Sequence, residues 1–394
     1  MIVLFFCRKM NDAMNISVRT KQLSKLFSFE KKVLLDDSPV EMLPFHFTEM
    51  LGLSEIDSFQ QDLAVTEFCS DKDNMIGENK SFPYVIFAPS GCEIFHEAII
   101  LLHGLNERNW EKYLVWAEYL VRQTGKPVIL FPISFHMNRT PVQWCNPRET
   151  LKWVNVRKSE VTKLSNATFA NVALSSRVTI DPLRFYASGR QFIFNILQLV
   201  RTIKNGIHPL FAEDTSVSFF AYSIGAMLSQ ILFIANPEQL FSNTRLFMFC
   251  GGSIFCEMNG NSRDIMDNVA FDKLLQYYHY DFIERRPLPP SFKNDYLEQA
   301  FKAMICPEVM KEEREAFFSS ASDRIRIISL KNDVVMPTFG IKDALGKSSE
   351  VILEEKDFPF PYSHQWPFPL YSKADPEVIE ACFKSVFDKV ASFL

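Results

Sequence analysis

Residues Val217–Phe233 read VSFFAYSIGAMLSQILF. An apolar run enters Ala221-Tyr222-Ser223-Ile224-Gly225, and a helix-compatible run leaves it. A strand that passes into a helix through one serine, with small side chains two residues before and after, predicts a sharp turn. Such a turn lifts the serine Oγ to the carboxyl edge of a parallel sheet. It also aims the N–H groups of the helix start at the same point, where an oxyanion forming on a substrate carbonyl is stabilised. Gly225 supplies one small position, and Ala221 the other, where glycine is commoner. Ser223 is the candidate nucleophile. The competing reading is an ordinary buried serine, since A-x-S-x-G alone arises by chance.

The surroundings decide between the two. Upstream, Tyr84–Ala88 and Ala98–Leu102 read as strands, the second ending at His103-Gly104. A helical period of Leu114, Trp116, Ala117, Leu120 and Val121 follows and stops at Gly125, before a third apolar strand, Val128–Ile133. Strand, helix, strand with near-continuous β-branched runs predicts parallel pairing covered on both faces. A helix is expected over Gly189–Lys204, with Ser188 and Gln191 at capping-box spacing. TRLFMFCGGS, RIRIISL and EVILEE read as later strands, and Asp375-Pro376 opens a closing helix. Two segments break the rhythm, at about 135–187 and 255–322, the second with a proline cluster at Pro287, Pro289 and Pro290. Residues 1–82 show no clear period and are expected to pack on the core as an extension.

A serine hydroxyl needs a base, and the base an orienting acid. RIRIISLKNDVVMP places Asp333 just past a strand end, on the sheet edge expected for Ser223; Asp343 and Glu257 are its rivals. DFPFPYSHQWPFP holds His364 in a proline-stiffened loop after the last strand, where a base could reach the serine; the alternative is an incidental surface histidine.

Ser223, Asp333 and His364 in that order, with HG at the end of an early strand, resemble the α/β-hydrolase superfamily from about residue 83 to the end. The resemblance implies an α/β fold: a mostly parallel eight-stranded sheet with helices on both faces, the two irregular segments forming a cap, and domains at 1–82 and 83–394. It further implies that LLHGLNER supplies one oxyanion-hole donor, the N–H of Leu105, and that Ile224 supplies the second. His103 is then a structural hydrogen-bonder.

Other candidates rest on position alone. In FHMNRTP, Arg139 and Asn138 either bind an anionic substrate group or pin the insertion to the sheet, and His136 is a rival base. Trp144, Trp153, Tyr362 and Trp366 line a pocket or pack the cap. The reading that joins these is a metal-independent serine hydrolase cleaving an ester, thioester or amide through an acyl-enzyme, with no cofactor and a small-molecule acyl substrate. The alternatives are a ligand-binding relative and an acyltransferase.

Composition narrows the field. A net charge of -5 with scattered basic residues argues against nucleic-acid binding. The 8 cysteines lack C-x-x-C pairs, which excludes the usual zinc spacings and suggests reduced thiols in the cytoplasm. The start, MIVLFFCRKM, has too short an apolar run for a signal peptide, and no stretch reaches the length of a membrane span. The 38 phenylalanines predict an aromatic core and an apolar cleft.

Overall fold

A computed structural model describes residues 15–50, 73–284 and 296–394. Among these, nine strands form one sheet: β1 (Val33–Leu34), β2 (Val40–Thr48), β3 (Ser81–Pro89), β4 (Phe95–Leu102), β5 (Val128–Leu130), β6 (Phe211–Tyr222), β7 (Leu246–Phe249), β8 (Ile325–Leu330) and β9 (Leu353–Lys356). Their order is β1-β2-β3-β5-β4-β6-β7-β8-β9. From β5 to β9 every neighbouring pair is parallel, while β1, β2 and β3 join antiparallel. This is the α/β-hydrolase type of sheet with one strand more than the eight expected. Residues 33–48 enter the sheet as two edge strands, β1 and β2, rather than only packing upon it, and the chain from residue 81 onward supplies the other seven.

Alternation along the strands builds a core on each face. Ile100, Leu102, Phe219 and Ala221 face one way, beneath the helices Leu183–Lys204 and Ile224–Ala235. Ile99, Leu101, Phe220 and Tyr222 face the other, beneath the helices Ile16–Leu26, Glu111–Thr124 and Pro376–Phe393. Trp116 is the hub of the second core, with Tyr113, Tyr222, Phe249 and Phe387 rings at 5.0 to 6.1 Å. Each such buried aromatic contributes about 1.5–3 kcal/mol relative to exposure.

Helix ends follow local chemistry. Gly125, at φ 69°, caps the helix Glu111–Thr124 in the left-handed region that its missing Cβ permits. Asp375 caps the last helix by accepting from the Glu377 N–H, with Pro376 at the first helical position. Ser188 and Gln191, however, lie inside a helix, not at its start. That helix begins at Leu183, whose N–H donates to the Asp181 carboxylate, so tertiary packing extends it a turn and a half beyond the local signal. EVILEE divides into a helical turn, Ser349–Ile352, and β9.

The first irregular segment holds the helices Pro147–Glu160 and Val172–Ile180, and the second holds Asn268–Gln276, Tyr296–Ala303 and Lys311–Ser320. The proline cluster and the first ten residues lie outside the described residues, as do Cys7 and Cys69. No described helix is long and apolar enough to cross a membrane.

Candidate active site

β6 ends at Tyr222 and the next helix begins at Ile224, so Ser223 alone makes the turn, at φ 56° and ψ -123°. That backbone is strained for a residue with a Cβ, and the crowding around it shows what holds it. A Cβ on Gly225 would lie 2.8 Å from Leu102 Cβ and 2.9 Å from the His103 carbonyl oxygen, so glycine is required two residues after the serine. On the other side, Ala221 is buried in β6 in register with Leu102 and Met248, and its methyl is accommodated. The smaller residue is instead Gly251, after β7, where a Cβ would meet the Ser223 carbonyl oxygen at 2.9 Å.

The structure brings Ser223, His364 and Asp333 together. Ser223 Oγ lies 2.7 Å from His364 Nε2, and His364 Nδ1 lies 2.8 Å from Asp333 Oδ2. Since the carboxylate only accepts, Nδ1 carries the proton and Nε2 presents its lone pair to the serine hydroxyl. Asp333 Oδ1 accepts from the N–H groups of Val335 and Met336, at 2.9 and 3.0 Å, which fixes the carboxylate just past β8. All three side chains are buried. The His364 ring lies over Tyr222, with centroids 5.5 Å apart, and the Tyr222 hydroxyl donates to the His364 carbonyl oxygen. Lys112 holds the next residue, donating to the Gln365 carbonyl at 2.9 Å. Burial raises the Tyr222 hydroxyl and the Cys250 thiol well above their ordinary values, with the Asp333 charge adding to both, so these neighbours stay neutral beside the acid. Asp343, in the helix Thr338–Leu345, and Glu257, in a short turn, make no recorded bond to His364.

Leu105 and Ile224 flank the serine, and neither N–H has a hydrogen-bond partner among the described residues. For Ile224 this follows from its place at the first turn of a helix. The Leu105 loop is set by His103, whose Nδ1 donates to the Gly104 carbonyl at 2.8 Å and whose Nε2 accepts from the Ile133 N–H at 2.9 Å. The Gly104 N–H in turn donates to the Tyr113 hydroxyl. A Cβ on Gly104 would stand 3.3 Å from Ser223 Cβ, which measures how closely this loop approaches the nucleophile.

The FHMNRTP residues lie elsewhere. Arg139 is fully buried, donating to the carbonyls of Pro132 and Asn79 and to the Asn195 side chain, with its guanidinium 4.1 Å over the Phe82 ring. Burial lowers it to about 9. Asn138 donates to the Pro83 carbonyl at 2.7 Å. Of the two readings these bonds favour pinning: Arg139 Nη1 and Nη2 and the Asn138 amide N–H tie the insertion to β3, to the chain after β5 and to the helix Leu183–Lys204, while Arg139 Nε and Asn138 Oδ1 are left without a partner. Trp366 sits beside the His364 loop, 38% exposed and 5.9 Å from Lys112, at the surface rather than on a cavity wall. His136 donates from Nδ1 to the Ser134 carbonyl and faces a cavity, far from the role of a base bonded to Ser223.

Two cavities open beside the turn. One, of about 380 Å³ counted with its space open to solvent, includes Ser223 with apolar walls from Phe255, Met258, Phe271 and Met336. The other, of about 970 Å³ counted to its mouth, is walled by Ile133, Phe135, Leu174, Met227 and Phe301 and carries polar groups described below. Two of the three arginines of the second cavity, Arg177 and Arg184, escaped the sequence reading. They fall in the irregular segment, where no period or motif singles out a particular cation. Among the described residues no cluster of histidine, cysteine, aspartate or glutamate could hold a metal ion.

The model of a family described as a family of unknown function, DUF6051, matches residues 10–394. No curated protein matches the sequence. Among solved structures, the chain is similar to carboxyl esterase 2 of the mycorrhizal fungus Tuber melanosporum, at 10% identity and a TM-score of 0.42, covering 97% of this chain and 100% of that one. A thermostable esterase from Pseudomonas putida aligns at 9% identity and a TM-score of 0.40, covering 97% and 91%. A putative dipeptidyl aminopeptidase IV from Bacteroides ovatus aligns at 11% identity and a TM-score of 0.40, covering 91% of this chain and 36% of that one.

Proposed function

We propose that this chain, which belongs to the DUF6051 family, is a serine hydrolase that cleaves an ester, thioester or amide through an acyl-enzyme. The observation that carries the reading is the pair of hydrogen bonds through His364: 2.7 Å from Nε2 to Ser223 Oγ and 2.8 Å from Nδ1 to Asp333. A histidine bonded at once to a hydroxyl on a strained turn and to a buried carboxylate can take a proton and be stabilised while it holds it.

In this reading Ser223 Oγ attacks the substrate carbonyl carbon as its proton passes to His364 Nε2. The charge that develops on the carbonyl oxygen is met by the Leu105 and Ile224 N–H groups, each such donor being worth about 10²–10³ in rate. Asp333 keeps the Nδ1 proton in place and balances the imidazolium. Collapse of the tetrahedral intermediate expels the alcohol, thiol or amine, which takes the proton from Nε2. Water then attacks the acyl-enzyme with His364 again as base, restoring Ser223. Residues 135–187 and 255–322 act as a cap in this scheme, since both contribute walls to the two cavities.

Covalent labelling with a fluorophosphonate, located by peptide mapping, tests the proposal directly. Label on Ser223, absent from Ser223→Ala, is the expected result. A folded protein that takes no label at Ser223 would rule the hydrolase reading out.

A further inference from the structure

Leu105, Phe185 and Ile224 line both cavities, so the two share a wall at the two residues whose N–H groups have no hydrogen-bond partner among the described residues. A substrate carbonyl held there sends one arm into each cavity. The arms meet different chemistry. The smaller cavity has no charged side chain in its wall. The larger one adds Arg108, Arg177 and Arg184 to its apolar surface, against one acid, Glu107. Glu107 is already engaged, by an ion pair to Lys112 and by the Tyr113 hydroxyl, which donates to it at 2.9 Å.

The three arginines differ in how their charge is used. Arg108 donates to the Cys145 carbonyl at 2.7 Å. Arg177 is ion-paired to Asp73 and lies 4.3 Å over the Trp144 ring. Arg184 is 9% exposed, and its Nε and Nη1 make no hydrogen bond. Its ion pair is with Asp73, whose Oδ2 stands 3.5 Å from the Arg184 Nε while Oδ1 takes the hydrogen bond from Arg177, so one acid serves two arginines. Asp181, the other acid near Arg184, is pushed up by burial, against which the Leu183 N–H and the Arg184 charge both act. A guanidinium cannot shed its proton, and a buried cation without hydrogen bonds is costly. A second group of the same wall also lacks a partner: His136 is buried, its Nδ1 is used on Ser134, and Nε2 bonds to nothing. The larger cavity thus presents donors and an acceptor that the fold itself does not satisfy.

We propose, resting on the serine-hydrolase reading, that the larger cavity takes the substrate arm that ends in a carboxylate, with Arg184 as the residue that pairs with it. The planar fork of guanidinium donors matches a carboxylate in two parallel hydrogen bonds. One cation matches a monoanion better than the near-dianionic charge of a phosphate monoester. The substrate is then an amphiphile, apolar around the scissile carbonyl and anionic at one end.

The test uses matched esters that differ only in a terminal carboxylate or its neutral primary amide, placed on the acyl arm in one pair and on the alcohol arm in the other. In one pair the carboxylate ester should exceed its amide by roughly ten- to a hundredfold in kcat/KM, mostly through KM. The ratio should fall to about one in Arg184→Gln. Neutral esters favoured in both pairs, or a preference that survives Arg184→Gln, would overturn the assignment. Calorimetry of Ser223→Ala with a medium-chain dicarboxylate monoamide separates the two readings. Binding that Arg184→Gln weakens about tenfold, with no ester turned over by the parent protein, keeps the carboxylate site and removes the hydrolase. Turnover of neutral esters without such binding does the reverse. Tighter binding of an alkyl phosphate than of the carboxylate overturns the choice of anion. If Arg184→Gln fails to fold, the parent protein's charged-to-neutral ratio alone decides.

Discussion

His103 and His364 both come to the Ser223 turn from loops at the carboxyl edge of the sheet, both are buried, and both use the two ring nitrogens. What differs is the partner. His103 bonds a carbonyl and an N–H of the main chain, groups that neither gain nor lose protons here, and burial drives its pKa well below the ordinary value. It is locked neutral and serves as a strut between the loop after β4 and the chain after β5. His364 bonds a hydroxyl and a carboxylate, one able to give a proton and the other able to support the resulting charge. Residue type and depth are shared, so the atoms at Nδ1 and Nε2 decide whether an imidazole holds a loop or moves a proton.

The comparison breaks most sharply under substitution. His364→Ala should lower kcat on any accepted ester by about 10⁴-fold or more, and should cost about 1–3 kcal/mol of stability because the buried Asp333 carboxylate loses its partner. His103→Ala should destabilise by about 2–4 kcal/mol, because the Gly104 carbonyl and the Ile133 N–H lose their buried partner. Urea unfolding and ester kinetics on both variants check this, and an equal loss of kcat in the folded His103→Ala protein would erase the distinction.

Acid sharpens the same contrast. Burial lowers His103, and lowers His136 and His208 to about 4, so all three are neutral when folded where an unfolded histidine is charged. The unfolded chain binds more protons below about pH 6.5, so stability falls as pH drops from there toward about 4. Each histidine contributes about 1.4 kcal/mol per pH unit, together about 4 kcal/mol once well inside the window. Urea midpoints at pH 7 and pH 5.5 read this slope. A flat profile would mean that these rings accept protons within the fold.

Gly225→Ala carries the smallest effect. Its new Cβ would press on Leu102 and the His103 carbonyl, costing about 1–3 kcal/mol and shifting the turn between the two histidine loops. A fully stable, fully labelled Gly225→Ala protein would show that the strut and the turn are independent.

What could be read without coordinates followed local signals. The apolar runs of β4 and β6 are buried on both faces, and an HG or a lone serine at their ends is conspicuous against them. Asp333 and His364 stood out because each follows a strand and each is isolated among residues that cannot do their chemistry. β2 was hidden for the opposite reason. Its residues, VEMLPFHFT, carry a proline and a histidine, and buried positions fall on both faces, Val40 and Met42 on one and Phe47 on the other, so neither alternation nor an apolar run marks them. Arg139 kept two readings in the sequence because position at a strand end says nothing about direction: its side chain turns inward to two carbonyls. Arg184 is the converse. Its neighbours in space, Asp73 and the cavity wall, come from distant parts of the chain, and no window of sequence contains them.

The two ends of the Ser223–His364 hydrogen bond are separated by 141 positions in the chain. During synthesis from the amino end, the serine turn and both flanking N–H donors can assemble while the loop that carries the base is still within the ribosome. Until β8 and β9 dock beside β7 and bring Asp333 and His364 to the edge, the hydroxyl has no proton acceptor. A nascent chain is therefore inert toward the small molecules around it. Reactivity toward a fluorophosphonate should arise late and in one step, as the last two strands close the sheet.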